Sequence, residues 1–217
     1  MSLPGILFLD SASVADAQEA AATGYVAGIT TNPSLLARQD HDPLEQMEAL
    51  LGAFPGLVFY QPASTDPSTA LSEIQRLVDV GGERLVAKLP ALPELFPLAA
   101  RLHASGIPTA ITAVYSTGQA LMATAAGVEW IIPYVNRAKK LMPNGQDLVG
   151  ELAALLARQP ERPLILAASL KSSEEASTSI RNGADAVSLP ILVLRELGAH
   201  PLTVSAVEDF SIDARRP

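Results

Sequence analysis

Eight short apolar runs recur along the chain: ILFLD (6–10), VAGIT (26–30), LVFYQ (57–61), RLVAKL (84–89), PTAIT (108–112), EWIIP (129–133), LILAAS (164–169) and DAVSLP (185–190). They are mostly continuous rather than alternating and rich in Val, Ile and Leu, the pattern of parallel strands covered on both faces. Between them lie Ala- and Leu-rich segments of helical periodicity, at 13–23, 43–54, 67–80, 94–105, 116–126, 145–159 and 172–182. Several open on Ser or Asp caps. Gly24, Gly81, Gly106, Gly127 and Gly183 each follow a helix and precede a strand, the place of a left-handed stop. Pro93 suits a helix start, but Pro97 lacks an N–H and crowds a preceding turn, so that helix is expected to begin late or to kink.

Strands alternating with helices require crossover connections and a parallel sheet, and eight such units in about 200 residues match a (β/α)₈ TIM barrel. An open doubly wound sheet normally carries a Gly-rich phosphate loop after its first strand, whereas Asp10-Ser11-Ala12-Ser13 stands there. The expectation is one α/β domain over 1–217, with 201–217 as a C-terminal extension holding a short amphipathic helix around Thr203 to Phe210. That helix either reaches another subunit or covers the barrel's own base.

Composition narrows the function. A formal charge of −8 disfavours nucleic acid, whose binding draws on clustered Lys and Arg, yet permits a small anionic substrate where a few cations converge. With no cysteine, disulfides and thiolate nucleophiles are excluded, and the three scattered histidines give no metal-ligand spacing, so neither metal nor cofactor is implied. The opening MSLPGILFLDSAS lacks a basic segment and is broken by Asp10, and no run reaches membrane-spanning length. A soluble cytoplasmic protein is expected, with no membrane partner.

Catalytic groups of such barrels project from the C-terminal ends of strands. Those ends present Asp10, Thr30, Thr31, Asn32, Gln61, Lys88, Thr112, Tyr134, Asn136, Arg137, Ser169, Lys171 and Ser188. The set holds an amine, a carboxylate, neutral hydrogen-bonding groups and cations, but no Ser-His-Asp arrangement. Lys88 stands inside the apolar run RLVAKLP, in a chain with three other lysines. Either it snorkels to solvent from a strand end, or burial lowers its pKa and frees the lone pair of an amine nucleophile. Lys139, Lys140 and Lys171 fall in polar surroundings and read as surface or anion-binding charges.

The words FLDSAS (8–13), GITTNPSLL (28–36), LVAKLP (85–90), TAITAVYSTGQAL (109–121), PYVNR (133–137) and LAASLK (166–171), in this order, resemble the small transaldolase family and most closely its fructose 6-phosphate aldolase branch. The resemblance implies class I aldolase chemistry, in which Lys88 forms a Schiff base with a ketose. It matches Asp10 to a carboxylate that bonds donor hydroxyls and assists proton traffic, and Thr31 and Asn32 to contacts with the dihydroxyacetone part. Larger transaldolases carry glutamate where Gln61 stands, and the aldolase branch resembles this chain in holding a water with Gln61, Thr112 and Tyr134. Arg137 and Ser169 match phosphate contacts.

Each assignment has a plainer alternative. Asp10 caps a helix, Thr31 and Asn32 form the turn before Pro33, Thr112 is an ordinary strand residue, Tyr134 a rim aromatic and Arg137 a solvated charge. Two departures leave donor and acceptor preference open: 91–101 (ALPELFPLAAR) lacks a Thr-x-x-Gly pattern of relatives, and VFYQPAS (58–64) differs from their usual continuation. The expected activity is reversible cleavage of fructose 6-phosphate or a related ketose to dihydroxyacetone and glyceraldehyde 3-phosphate. Transfer of the same three-carbon unit to an aldose phosphate is one alternative, and a silent sugar-phosphate-binding barrel another. The resemblance also implies a homo-oligomer, a pentamer or decamer.

Overall fold

A computed structural model describes residues 5–159 and 161–214. Residues 1–4 of the opening stretch and 215–217 of the expected extension lie outside them. Eight parallel strands close into a barrel in chain order: β1 (Leu7–Asp10), β2 (Val26–Thr30), β3 (Leu57–Tyr60), β4 (Leu85–Pro90), β5 (Thr109–Val114), β6 (Trp130–Pro133), β7 (Leu164–Ala167) and β8 (Ala186–Leu189). Helices pack around it: α1 (Val14–Thr23), α2 (Pro33–Leu36), α3 (Pro43–Ala53), α4 (Pro67–Gly81), α5 (Phe96–Ala104), α6 (Thr117–Ala125), α7 (Val135–Leu141), α8 (Leu148–Leu156), α9 (Ser173–Arg181), α10 (Ile191–Leu197) and α11 (Pro201–Asp213). The TIM barrel read from the alternation is thus the observed fold.

Side chains alternate across each strand, so one set fills the barrel and the other meets the helices. Leu9, Ile29, Val58, Leu89, Ile111 and Leu189 join helix residues such as Met47, Ile74 and Leu102 in the outer core. Inside, Phe8, Phe59, Val86, Ala110, Trp130, Ile132, Leu166 and Ala186 form a separate cluster. Phe8, Phe59 and Trp130 meet edge to face at centroid distances of 5.4 to 5.8 Å and plug the lower half. Gly28 makes room for that plug: a Cβ there stands 2.6 Å from the Phe8 ring and 2.8 Å from the Leu57 carbonyl oxygen.

Polar ties secure the N-terminal rim. Arg84 donates to the carbonyls of Leu51 and Phe54, Arg162 forks onto Asp185 at 2.7 Å through both nitrogens, and Glu129 accepts the Thr109 N–H. These groups stand just before strands, at the end that serves stability.

Several expectations shift locally. Helix α5 does begin late, at Phe96 with Pro97 in its first turn. Gly81 lies inside the end of α4 at φ −90°, and Gly82, at φ 54°, takes the left-handed stop instead. Three helices went unread: α2 and α7 are short, and α10 follows β8 after a single residue. Asn136, Arg137, Lys139 and Lys140 therefore sit on helix α7.

The C-terminal helix spans Pro201–Asp213 and is not amphipathic. Leu202, Val204, Val207, Phe210 and Ile212 point around its whole circumference, each 55 to 73% exposed. It buries no residue against the barrel, so it does not cover the barrel's base.

Candidate active site

The interior alternation decides which side chains meet. On seven of the eight strands a polar group comes two residues beyond an inward-facing apolar residue or glycine, on the same face: Phe8 leads to Asp10, Gly28 to Thr30, Phe59 to Gln61, Val86 to Lys88, Ala110 to Thr112, Ile132 to Tyr134 and Ala186 to Ser188, whereas Leu166 on β7 leads to Ala168. A polar layer thus lies on a dry aromatic floor at the C-terminal mouth of the barrel. Outside the barrel, an apolar groove of about 300 Å³ lined by Ile6, Ile180 and Leu197 offers no comparable set of reactive groups.

Lys88 does not snorkel: it is 2% exposed, and Nζ donates to the Thr31 carbonyl at 2.5 Å. Burial lowers its pKa to about 8, against the opposing pull of the Asp10 charge. At pH 7 roughly a tenth of the amine is then neutral, some 300-fold more than for an ordinary lysine. Asp10 is crowded by protein on nearly all sides, which raises its pKa, while Lys88, the Thr30 hydroxyl and Lys171 oppose the rise. Burial therefore draws both groups toward neutrality, and each charge restrains the other. Asp10 is not the α1 cap, since Ser13 performs that role.

Three further groups face the same space. Gln61 Oε1 and Thr112 Oγ1 are buried with no hydrogen-bond partner among the described residues. Such orphaned atoms are uncommon in a folded interior and mark a place where a small polar molecule fits. Tyr134 stands close to Thr112; burial raises its pKa most, Asp10 adds to the rise, and Thr112 and Arg137 oppose it. The Thr112 hydroxyl is near enough to steady the phenol, yet the pair does not reach good hydrogen-bond geometry.

The rim carries positive charge. The Arg137 guanidinium lies 5.3 Å from the centre of the Tyr134 ring, and Tyr115 packs edge-on to the same ring at 6.2 Å. The nearby Arg137 charge partly offsets the burial that raises the Tyr115 pKa. Ser169, after β7, is held at φ 62°, a left-handed conformation that non-glycine residues adopt at a cost. The exposed Lys171 follows it, its own N–H held by Glu175, which also accepts from Asn136.

Two expected contacts look different in place. The Thr31 side chain turns away from the mouth and donates to the Phe59 carbonyl at 2.8 Å, so Thr31 meets Lys88 through its backbone alone. Asn32 does cap α2, accepting the Leu35 N–H at 3.0 Å, and its amide NH₂ has no protein partner among the described residues. Tyr115 went unread although its place just beyond β5 marks it as a mouth residue.

Fold and site together define a (β/α)₈ barrel enzyme with a buried amine and carboxylate at its catalytic end. Comparison carries this further. Residues 7–216 match the family model described as Transaldolase/Fructose-6-phosphate aldolase, and the chain belongs to that family. It is 36% identical over 207 residues to a probable transaldolase of Phenylobacterium zucineum, covering 95% of each chain. It is 32% identical to one of Nitrosopumilus maritimus, covering 95% of this chain and 93% of that one. Among solved structures, a mandelate oxidase variant with 2-hydroxy-phenylacetamide superposes with a TM-score of 0.62 at 16% identity, covering 88% of this chain and 65% of that one. Orotidine 5'-monophosphate decarboxylase from Metallosphaera sedula gives 0.58 at 13%, covering 86% and 88%. These two likenesses show the barrel fold alone.

Proposed function

We propose that the protein is a class I aldolase of the fructose 6-phosphate aldolase type, cleaving that ketose or a close relative to dihydroxyacetone and glyceraldehyde 3-phosphate in the cytoplasm. The observation that carries this reading is Lys88, an amine buried inside the barrel mouth with its pKa drawn down to about 8 beside Asp10. Its neutral form attacks the ketone carbon C2, and loss of water leaves a protonated Schiff base. The C3–C4 bond breaks with its electron pair drawn toward that iminium, while the C4 hydroxyl proton leaves to a base and the aldehyde departs. The enamine left on Lys88 takes a proton at C3, and hydrolysis releases dihydroxyacetone and the free amine.

Glutamine exchanges no proton near neutral pH, so the relay falls to a water held by Gln61 and Thr112 and to the Tyr134 phenol. The two orphaned acceptors support this part. Asp10 bonds donor hydroxyls and moves the protons of Schiff-base formation, the free amide of Asn32 meets the dihydroxyacetone part, and Thr31 holds Lys88 by its carbonyl. Arg137 and Ser169, with Lys171 beside them, take the phosphate.

Borohydride reduction in the presence of dihydroxyacetone or fructose 6-phosphate, followed by mass spectrometry, is expected to place the adduct on Lys88. An active protein without an adduct refutes the reading. The relatives named probable transaldolase favour a second reading, transfer of the same enamine to an aldose phosphate. Free dihydroxyacetone produced without an acceptor separates the two. Binding of ketoses by calorimetry with no turnover points instead to a silent barrel. The apolar side chains that α11 holds in solvent support a homo-oligomer, a pentamer or decamer, which light scattering tests.

A further inference from the structure

One buried network in the barrel mouth has no part in the chemistry just described. Thr30, paired with Asp10 across β1 and β2, donates its hydroxyl proton to Asp10 Oδ1 at 3.0 Å. The Thr30 hydroxyl oxygen itself lies 2.6 Å from Ser188 Oγ on β8. A threonine hydroxyl has one proton to give. Since that proton is committed to Asp10, the proton in the shorter contact belongs to Ser188, and the chain runs in one direction, from Ser188 to Thr30 to Asp10. Thr30 and Ser188 are 2% and 1% exposed, so bulk water competes little for either link. Donation into an oxygen strengthens what that oxygen's own proton gives, and low local dielectric magnifies the effect.

We infer that Ser188 and Thr30 form a directed hydroxyl relay that holds Asp10 as an oriented carboxylate beside Lys88, both acting as positioning residues for the proton-transfer step. The inference rests on the roles proposed above for Asp10 and Lys88. Without the relay, only the charges of Lys88 and Lys171 are left to oppose burial, and Asp10 moves toward the protonated acid, which neither pairs with the Lys88 ammonium nor accepts a proton from it. The other groups facing Asp10 are Lys88 from β4, Lys171 from the segment after β7 and Tyr134 after β6. The two cations favour the carboxylate and Tyr134 lies on the far side of the balance, so loss of the hydroxyls leaves a defined direction: toward the acid.

The test compares Ser188→Ala, Thr30→Val, Thr30→Ser and the Ser188→Ala/Thr30→Val double variant. Thr30→Val keeps the shape and removes the hydroxyl, whereas Thr30→Ser keeps the hydroxyl. The Asp10 carboxyl is titrated by ¹³C NMR in the unliganded protein, assigned by its loss in Asp10→Asn, and kcat/KM for fructose 6-phosphate cleavage is followed against pH. One hydrogen bond to a charged group corresponds to about one pH unit, and a donor acting through it to about half. The titration and the acid limb of the profile are therefore expected to move alkaline by about 0.5 unit in Ser188→Ala and about 1 in Thr30→Val, while Thr30→Ser stays near the parent. The double variant is expected to match Thr30→Val alone, because Ser188 acts only through Thr30.

An unmoved Asp10 titration in both single variants overturns the relay, and so does a double variant whose shift is the sum of the two. Should Thr30→Val fail to fold, Ser188→Thr against Ser188→Ala makes the same comparison from the other end. A shifted Asp10 titration in a protein that cleaves no ketose upholds the relay and removes the aldolase reading, so the two fail separately.

Discussion

Replacing Lys88 by Met removes the proposed nucleophile and, on the same physics, makes the folded protein more stable near neutrality. Lys88 titrates at about 8 in the folded state against 10.5 for an ordinary lysine. Between those values the unfolded chain holds a proton that the folded chain has lost, so wild-type stability rises with pH through that window. Below about pH 8 the folded protein bears the whole cost of the buried ammonium, and above about 10.5 the cost is gone. Two and a half pH units correspond to about 3 kcal/mol.

Methionine fills similar volume without that cost, but two losses offset the gain. The Thr31 carbonyl loses its hydrogen bond from Nζ, at about 1 kcal/mol, and Asp10 loses the cation that most opposes its burial and moves further toward the acid. The expected net gain for Lys88→Met is about 1–2 kcal/mol at pH 7, a rise in Tm of roughly 2–8 °C for a chain of this size. Denaturant melts of both proteins across pH 7 to 10.5 check it: the variant's lead is expected to be full at pH 7, to close as pH climbs and to reverse by about pH 10.5, where the wild type no longer bears the cost of the buried ammonium. A variant less stable than wild type at pH 7, with a gap indifferent to pH, refutes the claim that the amine is held desolvated. Activity and the borohydride adduct are expected to vanish in either case, so stability is the discriminating readout.

Tyr134→Phe is expected to lower kcat about 100-fold while the Lys88 adduct still forms with dihydroxyacetone, because the role proposed for the phenol is to move protons and not to make the Schiff base. Tyr115→Phe releases one restraint on the Arg137 guanidinium, so KM for glyceraldehyde 3-phosphate in the synthetic direction is expected to rise several-fold while KM for unphosphorylated glyceraldehyde stays put. Gly28→Ala forces a Cβ to 2.6 Å from the Phe8 ring, which Phe59 and Trp130 hold in place, and 2.8 Å from a backbone oxygen. A loss of about 2–3 kcal/mol is expected in a thermal or denaturant melt, with the mouth chemistry of surviving protein intact.

The sequence made the barrel legible because its strongest signal, eight apolar runs separated by helical periods, is set by burial on both faces of the strands. What it hid is governed by other forces. Helices α2 and α7 span only four and seven residues, too short for a helical period to repeat, so no hydrophobic pattern announced them. Gly81 and Gly82 are adjacent, and which of them turns left-handed depends on where α4 stops against the barrel. The exposed apolar ring of α11 defeats a pattern that assumes each helix covers its own domain.

At the site, the strand-end rule found the right layer but not its internal order. Thr30 and Thr31 are neighbours of the same type, yet strand alternation sends one hydroxyl to Asp10 and the other to the Phe59 carbonyl behind the barrel wall. Their difference follows from counting two residues on from Gly28, a step available in the sequence once Gly28 is known to face inward. The same count separates Lys88 from Leu89 and Ser188 from Leu189. An aromatic plug in the lower barrel therefore does more than fill space: it fixes the phase of each strand, and through that phase it decides that one amine, one carboxylate and two hydroxyls share a poorly hydrated chamber. The lowered pKa of Lys88 is a consequence of packing that begins at Phe8, Phe59 and Trp130, in the apolar layer beneath it.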